Sequence, residues 1–134
     1  MFTTRTTTAI VRLDAVANLA LAAVLAIAAR PLTTALGLDG VAPLYLVAVL
    51  LAGNAVVLWQ MARDGDPRPS ELLRSAGIDL AFTIAVIAFA LADPTAADPR
   101  LRWMLGGLAV AVGAVAAVKT LAAGHLIRHP VTAD

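Results

Sequence analysis

Arg74-Ser-Ala-Gly-Ile-Asp79-Leu-Ala-Phe-Thr83-Ile-Ala-Val-Ile-Ala-Phe-Ala-Leu91 decides how this chain reads. The run is apolar enough and long enough to be a membrane-spanning helix, and it carries a carboxylate at Asp79 inside it. An ionisable group at that depth costs roughly 2.5 to 3.5 kcal/mol on insertion scales, so it calls for a partner or a purpose. The rest of the chain is read for groups that could reach it.

The surrounding composition agrees with a membrane setting. Of 134 residues, 60% are apolar and 14% charged, and the mean hydropathy is +0.86. Globular domains average about 25% charged residues. The apolar residues fall into four blocks, at about residues 9–29, 41–62, 71–92 and 101–127. Each matches the roughly 20 helical residues that cross a hydrocarbon core. The blocks are rich in Ala and Leu and lack the two-residue alternation of strands. A single all-α domain is expected: a bundle of four transmembrane helices with short connections and antiparallel neighbours.

Other classes are disfavoured. The net charge of +1 and the lack of a Lys/Arg run give no reason to expect nucleic acid. The absence of cysteine excludes disulfides and thiol chemistry. Ala26-Ile27-Ala28 resembles a signal-peptide cleavage site, but Arg12 and Asp14 interrupt the preceding apolar run, so the segment reads as a retained span.

Punctuation places the ends. Arg30-Pro31 should stop the first span, with Leu32 to Gly40 a connection whose leucines lie at the membrane surface. Pro43 fits the first turn of the second span, and Tyr45 and Trp59 fit its interfacial ends. Ser70 reads as the N-cap of the third span with Glu71 in its first turn. Asp93-Pro94 should end that span, and Arg102 and Trp103 should anchor the fourth. Arg5, Arg12, Arg63, Arg68, Arg74, Lys119 and Arg128 fall on one side of the spans, against Arg30, Arg100 and Arg102 on the other. That bias predicts both termini in the cytoplasm.

Five polar side chains interrupt the spans: Asp14 and Asn18 in the first, Asn54 in the second, Asp79 in the third and Lys119 in the fourth. Counted from the flanking arginines, Asn18, Asn54, Asp79 and Lys119 lie roughly 7 to 14 Å inside the same membrane face. Asp14 reads as shallower and interfacial, beside Arg12. Asp14 and Asn18 share a helix face, as do Ser75, Asp79 and Thr83. The simplest satisfaction is an Asp79–Lys119 pair completed by the two asparagines. The plain alternatives are a register-fixing ion pair with no further role, or a Lys119 that snorkels to the interface without meeting Asp79. A shift of 65 residues superposes Asp14 on Asp79, Asn18 on Thr83 and Asn54 on Lys119, as a parallel two-helix repeat would, though few other identities follow.

Two further patterns read as packing or interface. His125 and His129 have ligand-pair spacing but lack a third ligand, so interfacial histidines are expected and no metal or cofactor. Gly106, Gly113 and Gly124 form a small-residue stripe that suits internal helix contact, or a homodimer face.

Arg12-Leu-Asp-Ala, followed by a span ending in Ala-Arg-Pro-Leu-Thr-Thr-Ala-Leu-Gly-Leu38, resembles the opening of small bacterial four-span integral membrane proteins, DoxX-like in layout. That resemblance implies a four-helix bundle in the bacterial inner membrane and carries over no catalytic residue. Three functions fit the sequence. The first is a non-enzymatic accessory or scaffold that binds lipid or another membrane protein. The second is a small proton- or ion-coupled transporter using Asp79, and the third a lipid-modifying membrane enzyme.

Overall fold

The computed structural model describes residues 3–65, 68–92 and 98–128, and every regular element among them is an α-helix. The elements are α1 (Thr4–Ile27), α2 (Ala29–Leu36), α3 (Ala42–Asp64), α4 (Pro69–Leu91) and α5 (Pro99–Arg128). Four of them, α1, α3, α4 and α5, are long and apolar enough to cross a membrane. Their outer faces expose large apolar side chains, among them Leu13, Leu50, Leu80 and Val110. Such a continuous apolar exterior suits contact with lipid rather than water.

Helix ends follow local chemistry, and three depart from expectation. Thr3 caps α1, its hydroxyl accepting from the Thr6 amide at 3.2 Å. The helix therefore starts five residues before the apolar run does. The first span does not stop at Arg30-Pro31. It breaks earlier, at Ala28, and restarts as α2 with Pro31 in the first turn. The first i→i−4 bond of α2 is Leu32 N–H to Ala28 carbonyl, so the N–H that proline lacks has no helical acceptor to miss. Gly37 then ends α2 at φ 65°, with the Leu38 amide reaching back to the Thr33 carbonyl at 3.0 Å. Leu36 is buried, and Leu32 and Leu38 pack with it beside Ala29 and Leu44, so α2 closes the bundle end instead of presenting these leucines to the membrane surface.

At α4 the N-cap is Arg68, not Ser70. Pro69 holds the first helical position with a preset φ, and the residue before a proline is driven to the extended backbone that an N-cap adopts. Glu71 does fall in the first turn. Pro99 starts α5 in the same way, behind an Asp98 carboxylate that accepts the Arg100 amide at 2.9 Å. Asp93-Pro94 lies outside the described residues.

The four long helices pack as two tight hairpins, α1 with α3 and α4 with α5, which meet each other more loosely along α1–α5 and α3–α4. The glycine stripe is not a continuous seam. At Gly113 a methyl would touch Thr83 of α4, whereas Gly106 and Gly124 face open space. The hairpins repeat each other's burial pattern. Shifted by 65, Val11 falls on Ala76, Leu51 on Ala116 and Leu58 on Ala123, all buried, as are the polar pairs Asp14/Asp79, Asn18/Thr83 and Asn54/Lys119. Even a side-chain bond repeats: Asn18 and Thr83 each donate to the backbone carbonyl of the aspartate four residues earlier.

Candidate intramembrane polar site

Lys119 is the centre of the bundle's polar layer and has no exposed surface. Its ammonium donates to Asp79 Oδ2 at 2.6 Å and to Ser75 Oγ at 2.8 Å, and it forms an ion pair with Asp14 Oδ2. Two of its donors are thus hydrogen-bonded and the Asp14 carboxylate is held beside it by charge, its Oδ2 having no hydrogen-bond partner among the described residues. Snorkelling is thereby excluded. A buried ammonium without such partners would be far more expensive than the insertion figure quoted above.

Asp14 is 7% exposed and paired with Lys119. It stands ten residues into α1, about 15 Å along its axis. From there its carboxylate meets the lysine of α5, which links the two hairpins across their loose interface.

The amides build outward from Asp14. Asn18 Nδ2 donates to Asp14 Oδ1 at 2.8 Å and to the Asp14 carbonyl at 2.9 Å. Asn54 Nδ2 reaches Asn18 Oδ1 at 3.4 Å, a long bond. Asn54 Oδ1, although buried, has no hydrogen-bond partner among the described residues. The structure therefore brings all five expected residues into one network and adds Ser75, which shares the Asp79 face of α4. Four-residue spacing to Asp79 was the signal that could have assigned it.

The layer is bounded differently on its two sides. Towards the termini, Val11, Ala15, Leu58, Leu72, Ala122 and Ala123 form a packed apolar plug. Away from them lies a cavity of about 210 Å³, with Asp14, Asn18 and Asp79 in an otherwise apolar wall. It shares Leu21, Phe82 and Leu108 with a second, wholly apolar cavity of about 240 Å³ that extends to Leu36 and Phe89 at the α2 end. Lys119 does not line either space.

His125 is half-buried in the last turn of α5, and His129 lies outside the described residues. Among the described residues no three His, Asp or Glu side chains converge as metal ligands do. The fold and site define a polytopic helical membrane protein with a charged layer at the base of an apolar cavity. No protein family, curated protein or solved structure matches the chain.

Proposed function

We propose that this protein is a non-enzymatic membrane component that binds an amphipathic molecule from the bilayer. Its apolar part lies between the two hairpins and its polar end lies at Asp14 and Asp79. One observation carries the reading: of two neighbouring cavities that share Leu21, Phe82 and Leu108, the one beside the polar layer ends on buried charged groups instead of on more hydrocarbon side chains. A layer serving only to fix helix register needs no such space, whereas small-molecule sites combine an apolar wall with a few polar groups in this way. The arginine bias favours the sealed plug on the cytoplasmic side and the cavity towards the opposite face, and the resemblance of the first hairpin implies a bacterial inner membrane.

The test is lipid retention. Protein released from native nanodiscs should carry an amphiphile enriched over the bulk bilayer, and Leu108→Trp, at a residue that lines both cavities, should lose it. Equal lipid profiles for wild type and variant would refute the reading. A second reading, a proton- or ion-coupled carrier, is favoured by the asymmetry of the layer, which is plugged on one side and faces a cavity on the other. Proteoliposome flux that is unchanged by Asp79→Asn would count decisively against it.

A further inference from the structure

The charges of the polar layer do not balance. Two carboxylates, Asp14 and Asp79, face one ammonium, Lys119, so with every group ionised the bundle interior would hold one uncompensated negative charge. The other charged side chains of these helices near this end, Arg5 and Arg12 on α1, Arg63 and Asp64 on α3, Arg74 on α4 and Arg128 on α5, are exposed, and α5 also carries the half-buried His125. Glu71, half-buried at the start of α4, adds a further acid and no compensation. Hydrocarbon surroundings do not tolerate an unpaired charge, so the layer needs one more positive charge. A proton on the carboxylate pair is one way to supply it.

The cavity suggests another. Its polar wall offers acceptors and no free donor. The Asn18 amide donates twice to Asp14, its oxygen takes the Asn54 amide, and Lys119, which donates to Asp79 and Ser75, does not line the cavity. An anionic head group would find repulsion here, and a neutral one would leave the imbalance as it was. A cation would remove it, and the apolar wall around Leu21, Phe82 and Leu108 would take the hydrocarbon attached to that cation. We propose that the site binds one single-chain lipophilic monocation, such as a quaternary alkylammonium, in exchange for one proton. The displaced proton leaves to solvent, so the layer is neutral before and after. This assignment rests on the ligand-binding reading above and specifies the charge of the ligand.

The experiment uses wild-type protein in nanodiscs with three probes of matched chain: decyltrimethylammonium, decyl sulfate and decanol. The expected result is saturable, protein-dependent binding of the ammonium alone, with about one proton released per cation. Affinity should rise about tenfold per pH unit wherever the empty site is protonated, since one proton is displaced. Asp79→Asn leaves Asp14 and Lys119 as a neutral pair and should weaken binding at least tenfold. Equal competition by all three probes without proton release would overturn the charge assignment and leave the ligand-binding reading standing. Saturable binding of none of them would overturn both.

Discussion

Lys119 meets oxygens from both hairpins, and this sets unequal consequences for removing its partners. Asp79→Asn leaves the ammonium paired with Asp14 and deletes one charge-assisted bond, while membrane hydrogen bonds average about 0.6 kcal/mol. Lys119→Met leaves two carboxylates facing each other without a cation, and breaking a buried pair in this way costs about 3 kcal/mol. Unfolding titrations in mixed micelles should therefore rank Lys119→Met well below Asp79→Asn in stability. Equal losses would show that Asp14 does not share the lysine. In a double-mutant cycle, Asp79→Asn should be non-additive with Lys119→Met, because the second change removes the group the first one faced.

Among the elements, α2 shows how one backbone position redirects the chain. Gly37 at φ 65° ends this short helix and turns Leu38 back onto the bundle. An L-residue with a Cβ is strained there by about 1 kcal/mol. Gly37→Ala should lower thermal stability, followed by intrinsic tryptophan fluorescence, whereas Gly40→Ala, with open space and no positive φ, should leave it unchanged. Comparable shifts for the two would remove Gly37 from that role. Composition and periodicity were enough to read the four spans, because each must be a long apolar helix to satisfy its backbone in lipid. The ends were harder to read. Pro31 and Pro69 both sit in first turns, where proline is tolerated, and the same residue within a span signals a stop.

For the whole molecule, the two hairpins share one burial pattern and are joined through charge at the Asp14–Lys119 pair. Membrane orientation is a property at this scale. Because the chain has no cysteine, single cysteines report cleanly. With the arginine-rich side inside, Asp39→Cys should react with a membrane-impermeant thiol reagent added to intact cells, and Asp64→Cys only after the membrane is opened. The reverse pattern would invert the bundle and place the plugged side outside.

The residues alone determined that this is a helical bundle of four membrane-spanning segments, and they led to the expectation that Asn18, Asn54, Asp79 and Lys119 share a level. Both follow from one-dimensional rules, hydrocarbon thickness and helical rise, which need no knowledge of neighbours. Tertiary structure decided which groups meet. It drew Asp14 and Ser75 to Lys119, because rotation of each helix and the relative height of the hairpins set those contacts. It also decided that packing closes one side of the layer and leaves a cavity on the other, since volume arises only between helices. Asp79 reads in sequence as one carboxylate in need of a cation; in the fold, two carboxylates share one lysine.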